Sequence, residues 1–213
     1  MGLFGRGTQY DRTIFLRRAR EELRNGKYKR ALPLLRQIMA REPNNPELHA
    51  LIAPALAARG HDFEAWESYQ TAAQALYKHG NKAAALELHT DATRRLPHLI
   101  DTWVRRAELE RELTRQDAAL KTLLAGRKRF AKRRSRPQAI SLLRRALEIN
   151  PKAHAVILDL AGLLARTDQK DEALFHLESL AQKSRGENLK AVCKAQWAVL
   201  PSLANTWRWM RAG

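Results

Sequence analysis

Seven of the ten residues from Arg127 to Arg136 are cationic: Arg127, Lys128, Arg129, Lys132, Arg133, Arg134 and Arg136. Guanidinium and ammonium groups at this density can hold phosphates or carboxylates through charge-assisted hydrogen bonds. Three successive cations cover about 200° of a helix at about 100° per residue. They cannot all face a core, so the stretch must project into water or onto an anionic partner. Like charges this close repel one another, and a chain tolerates them more readily when something neutralises them. A solvated, frayed helix end is the plainer account. Only Phe130 in the stretch is large and apolar, so the interleaved aromatic rings that stack nucleobases are missing.

A second cationic set is Arg17, Arg20 and Arg24. Their i, i+3, i+7 spacing lays them along one helix face. Such a stripe suits an acidic segment of a partner, or it is an ordinary exposed basic face in which Arg17 pairs with Glu21 one turn away.

Other chemistry is poorly represented. The seven histidines are His49, His61, His79, His89, His98, His154 and His176, and no two stand four apart where one helix could grip a metal ion. A Gly-rich phosphate loop and a G-x-S-x-G elbow are both missing. The single cysteine, Cys193, lies in an apolar helix phase with Leu189, Gln196, Trp197 and Leu200, which suits packing better than nucleophilic attack. No catalytic residue, cofactor, metal or small-molecule substrate is therefore expected, and the chain does not read as an enzyme.

The chain has 213 residues, 45% of them hydrophobic, with 39 Lys and Arg against 22 Asp and Glu for a formal charge of +17. That composition can build a core, and one cysteine rules out a disulfide framework. The longest apolar stretches fall short of the roughly 20 residues a spanning helix needs. The N-terminal apolar part is only Leu3 and Phe4, far short of an export-signal core, and with the lone thiol this suggests a cytoplasmic location. The charge is uneven. Residues 1–45 hold 11 basic and 4 acidic side chains, residues 46–99 hold 5 and 6, residues 100–153 hold 15 and 6, and residues 154–213 hold 8 and 6.

The elements that must carry these residues are helices. Ala31, Leu34, Leu35, Ile38 and Met39 follow helical spacing, as do Ala139, Leu142, Leu143, Ala146 and Leu147. No run alternates with the period of a strand. Chain-breakers recur every 54 residues at Pro43, Pro97 and Pro151, and Gly26 and Gly80 share the interval with Arg134 next in line. Alanines keep it too, at 31, 85 and 139, at 53, 107 and 161, and at 65, 119 and 173. An alanine at a fixed helical phase marks a close neighbouring helix, and a period of this size marks a stack of repeats. The spacing predicts helices over roughly 12–25, 28–42, 46–59, 62–79, 82–96, 99–113, 116–133, 136–149, 153–166, 170–184 and 188–200. Pro33 is expected in a first turn, and Pro54 inside a helix.

At these positions the chain resembles the tetratricopeptide repeat family. Residues 12–45 supply the family's small and large apolar positions with Ala19, Ala31, Leu35 and Pro43, and residues 46–79 with Ala53, Ala65 and Tyr69. Residues 100–133 supply Trp103, Ala107, Ala119 and Leu123, and residues 154–187 supply Ile157, Ala161, Ala173 and Leu177. The resemblance implies an all-α fold, a right-handed α-solenoid of antiparallel helices, about eleven or twelve of them with a C-terminal capping helix. The expected organisation is a short tail at 1–11, the repeat domain at 12–187, and a capping helix with a Trp-rich tail at 188–213. Segments 62–79 and 116–133 each read as both the second helix of one unit and the first of the next, so two-helix and three-helix stacking are both open.

The resemblance also implies a function class, a protein-interaction scaffold without chemistry of its own. In that family the first helix of each unit lines a groove, and Arg17 and Arg20 fall on groove-facing positions. The family's clamp for a C-terminal carboxylate uses paired Lys and Asn. Here those positions hold Thr13, Leu16 and Arg20, then Glu47, Ala50 and Pro54, so that clamp is absent. The expected partner is another protein, through an acidic segment. The alternatives are nucleic acid held by the cluster at 127–136, and peripheral attachment to an anionic membrane through the basic zones and the tail. In the tail, Leu203, Trp207 and Met210 share a face, with Trp209 and two arginines, Arg208 and Arg211, around it.

Overall fold

The computed structural model describes residues 10–202 together with 207, 210 and 211. Leu203, Arg208, Trp209 and most of the N-terminal tail lie outside the described residues. The chain divides into two compact units, Met1–Thr102 and Trp103–Gly213. Eleven α-helices occur among the described residues, and no strand. They are α1 (Arg12–Arg24), α2 (Tyr28–Met39), α3 (Pro46–Ala58), α4 (Asp62–Lys78), α5 (Lys82–Arg95), α6 (Ile100–Glu112), α7 (Gln116–Arg129), α8 (Arg136–Ile149), α9 (His154–Ala165), α10 (Lys170–Lys183) and α11 (Gly186–Val199).

Local chemistry sets the helix starts. Asp11 caps α1 by accepting from the backbone N–H of Thr13 at 2.8 Å and of Ile14 at 3.1 Å. Asn45 caps α3 by accepting from Glu47 N at 3.0 Å, with Pro46 in the first turn where its missing N–H costs nothing. Five connections share one turn. The residue before the last turn position adopts the left-handed conformation at Gly26, Gly60, Gly80, Thr114 and Asp168. The next residue's N–H then reaches back five positions, from Lys27 to Glu22 O at 2.8 Å, and likewise from His61, Asn81, Arg115 and Gln169. This closes the helix C-termini of α1, α3, α4, α6 and α9 and sends the chain back along its own path.

The periodic alanines are where helices press together. Ala31, Ala53, Ala65, Ala119, Ala139 and Ala173 are fully buried, and Ala85, Ala107 and Ala161 nearly so. In the first unit they sit among Leu35, Ile52, Leu56, Trp66, Tyr69 and Leu96. In the second, Leu142, Leu143, Leu160, Leu164 and Leu177 are the largest wholly enclosed side chains. Helix α4 packs on both α3 and α5. Within the units α3 also touches α5, and α9 touches α11.

Three positions differ from expectation. Pro33 lies inside α2 rather than in its first turn. Trp197 and Leu200 are not on the packed side of α11; that side is Val192, Cys193, Gln196 and Val199, while Trp197 is 41% and Leu200 46% exposed. Helix α7 stops at Arg129, four residues early, because Phe130 turns inward and is only 6% exposed. Lys132 is then extended, and Arg133–Ser135 form a short 3-10 helix.

Candidate functional site

Helix α1 buries one side chain fully, Ala19. The rest of its circumference is open enough that Arg17, Arg20 and Arg24 all stand exposed, and Arg18 with them. Sequence spacing missed Arg18, because the i, i+3, i+7 stripe passes beside it. Glu21 forms no ion pair with Arg17, and Arg17, Arg18, Arg20 and Arg24 have no acidic partner among the described residues. Other arginines of the same unit are neutralised at short range. Arg12 donates to Glu42 at 3.0 Å, Arg36 to Glu64 at 2.8 Å and Arg95 to Asp91 at 2.8 Å. Surface pairs of this kind add little stability. They do separate the cations the fold has satisfied from those it has left open.

The basic cluster separates in the same way. The Arg127 guanidinium makes a two-pronged contact with the Asp159 carboxylate on α9, at 2.5 and 2.6 Å. Arg136 donates to the backbone carbonyl of Arg166 at 3.1 Å. Both are therefore fastenings between helices. Lys128, Arg129, Lys132, Arg133 and Arg134 are exposed and have no acidic partner among the described residues. Sequence counting could not distinguish the two groups, since Asp159 stands 32 residues from Arg127.

One partly buried polar network escaped the sequence reading. The Asp91 carboxylate on α5 accepts from the Tyr69 hydroxyl on α4 and from the guanidinium groups of Arg94 and Arg95. Burial pushes this carboxyl up. The hydrogen bonds from Tyr69, Arg94 and Arg95 outweigh that and hold it below the ordinary value. Burial, with the bond to Asp91, drives the Tyr69 hydroxyl far up, so it remains a donor. The carboxylate is saturated with donors, which makes it a joint between α4 and α5 rather than a ligand or base. A similar joint holds α6 to α7, where buried Glu110 accepts from Arg106 at 2.9 Å and from Thr122 at 2.6 Å.

Cys193 is buried on α11 and lines a groove of about 590 Å³ with Glu178, Ala181, Gln182, Leu189 and Arg211. Of the tail residues, Trp207 and Met210 are exposed, and the Arg211 guanidinium lies 3.8 Å over the Trp207 ring. Among the described residues no group of three His, Cys, Asp or Glu side chains could hold a metal ion. None of the described helices is long and apolar enough to cross a membrane.

The repeat pattern has known counterparts. The sequence pattern of the tetratricopeptide repeat matches residues 22–75 and 136–195, together more than half of the chain. The chain belongs to the tetratricopeptide repeat family. The matched segments overlap the frames read at 12–45, 46–79 and 154–187, and leave the frame at 100–133 outside. No curated protein matches the chain. Solved structures similar to it include MamA protein, at 14% identity over 81% of this chain and 91% of that one with a TM-score of 0.33. PilF of Pseudomonas aeruginosa is similar at 14% identity over 94% and 88%, with a TM-score of 0.31. The tetratricopeptide domain of P58(IPK) is similar at 15% identity over 92% and 66%, with a TM-score of 0.31.

Proposed function

We propose that this tetratricopeptide repeat chain is a scaffold without catalysis of its own, and that it holds an acidic segment of a partner protein against α1. The observation that carries the reading is the open row of Arg17, Arg20 and Arg24, exposed and without an acidic partner among the described residues while neighbouring arginines are satisfied. The first and last of these are seven residues apart on one helix, a rise of about 10 Å. An extended peptide advances about 3.3 Å per residue and points alternate side chains the same way. Three or four residues with carboxylates at alternate positions would therefore span the row. Arginine suits the task because its planar fork meets a carboxylate with two parallel hydrogen bonds.

Fluorescence anisotropy with a labelled peptide rich in Asp and Glu tests the reading. A charge-assisted hydrogen bond contributes about 1.5–3 kcal/mol. Reversal of all three arginines to glutamate is therefore expected to weaken binding well over tenfold. Equal affinity in the reversed variant would remove α1 from the account.

A further inference from the structure

We propose that the last turn of α7 and the connection to α8 form a second, independent surface that grips the sugar–phosphate backbone of a nucleic-acid duplex. The surface belongs to the unit Trp103–Gly213, whereas the α1 arginines belong to Met1–Thr102. It rests on observations other than those behind the acidic-peptide reading.

The first observation is a break in the turn pattern. The left-handed turn residues Gly26, Gly60, Gly80, Thr114 and Asp168 fall at alternating intervals of 34 and 20 residues, apart from one missing member. The missing member is position 134. There the three-residue turn is replaced by six residues, 130–135, and Arg133 and Arg134 sit on a 3-10 helix. The replacement carries cations outward at the point where the other turns are small and compact.

The second observation is that this connection is fastened. Phe130 is buried at its start. Arg127 is clamped to Asp159 just before it, and Arg136 is bonded to the Arg166 carbonyl just after it. Within it the Ser135 hydroxyl and backbone N–H both donate to the Lys132 carbonyl, each at 3.0 Å. The backbone that carries the exposed cations is anchored on both sides before any ligand arrives, so less backbone ordering is lost on binding.

The third observation is the charge balance. Residues 103–213 carry 23 basic and 11 acidic side chains, a net of +12. Several of those acids are already engaged, Glu108 by Arg105 and Arg145, Glu110 by Arg106, Asp159 by Arg127 and Glu172 by Arg144. Lys128, Arg129, Lys132, Arg133 and Arg134 are the densest run of exposed cations in this unit, and none has an acidic partner among the described residues.

The chemistry selects among polyanions. A membrane surface would favour an apolar side chain for insertion beside the cations, and the only large one in the stretch, Phe130, is buried. A single strand would favour exposed rings for stacking, and residues 127–136 expose none. A duplex presents phosphates alone at closely spaced, fixed positions. It needs only a convex, rigid set of cations, and its binding is indifferent to base sequence.

The test is a fluorescently labelled DNA duplex of arbitrary sequence, titrated with the full chain at several salt concentrations. Three proteins are compared: the unmodified chain, the variant Lys132→Gln/Arg133→Gln/Arg134→Gln, and the α1 variant Arg17→Glu/Arg20→Glu/Arg24→Glu. The unmodified chain should bind at low salt with an affinity that falls steeply as salt rises. The connection variant should lose more than tenfold in affinity at low salt. Its log–log salt slope should shrink by about 0.9 for each cation removed. The α1 variant should keep the slope of the unmodified chain. A second variant, Lys128→Gln/Arg129→Gln, should repeat the loss, and circular dichroism should show unchanged helix content in both. The proposal is overturned by no binding at low salt, by an unaltered slope in the connection variants, or by a loss that follows α1. It is equally overturned if vesicles containing phosphatidylglycerol bind in a connection-dependent way and the duplex does not.

Discussion

Asp91 shows how a single side chain can be decisive and still invisible to sequence reasoning. Its donors come from Tyr69, 22 positions away, and from Arg94 and Arg95 on its own helix. The local part reads as an ordinary surface pair; only folding brings in the tyrosine. Because the folded carboxyl lies below its ordinary value near 3.8, its contribution is fully present above that pH. It is lost as pH falls through the lowered folded value. Asp91→Asn is expected to destabilise the protein by about 1–3 kcal/mol at neutral pH, as a partly buried network losing an ionised acceptor does. The gap between variant and unmodified chain should then narrow in urea titrations carried out near pH 3. A gap of the same size at both pH values would show that the carboxylate charge is not what matters. The cations obey the same logic. Their number and sequence positions were plain from the chain, but which of them the fold consumes depended on Asp159 and Arg166, each about 30 residues away.

Helices were the most legible level. Most of their ends came out close to the ranges read from the chain-breakers, since the Asp11 and Asn45 caps and the left-handed turn glycines act within a few residues of themselves. The alanines recurring at one phase proved to be buried. The end of α7 was not legible, because a run of cations keeps helical propensity and only the burial of Phe130 stops it. Gly126 was not legible either. It stands inside α7, where glycine costs about 1 kcal/mol in helix propensity. A Cβ there would lie 2.9 Å from two ring carbons of Trp103 on α6 and 3.1 Å from Leu142 Cδ1 on α8. Gly126→Ala should therefore lower stability by about 1–3 kcal/mol despite its better propensity. Gly162→Ala on α9, where a Cβ meets nothing within 4 Å, should raise it by about 0.5–1 kcal/mol. Thermal melts of the two variants moving in the same direction would contradict this account of α6–α7–α8 packing.

At the scale of the molecule, charge is divided unequally between the two units. Residues 1–102 carry 16 basic and 11 acidic side chains, a net of +5, against +12 for residues 103–213. The first unit carries a row of unpaired arginines on α1, and the second its densest run of unpaired cations at the end of α7 and in the connection to α8, among the described residues. Family membership supplies the class of surface, and this grouping supplies its chemistry. The most direct measurement is affinity capture by the full chain from its native cell, with and without nuclease, beside the variant Arg17→Glu/Arg20→Glu/Arg24→Glu. The account predicts protein partners that survive nuclease on the unmodified chain and are missing from the variant. The same nuclease-resistant partners held by both proteins would contradict it, as would the loss of every partner once nucleic acid is digested.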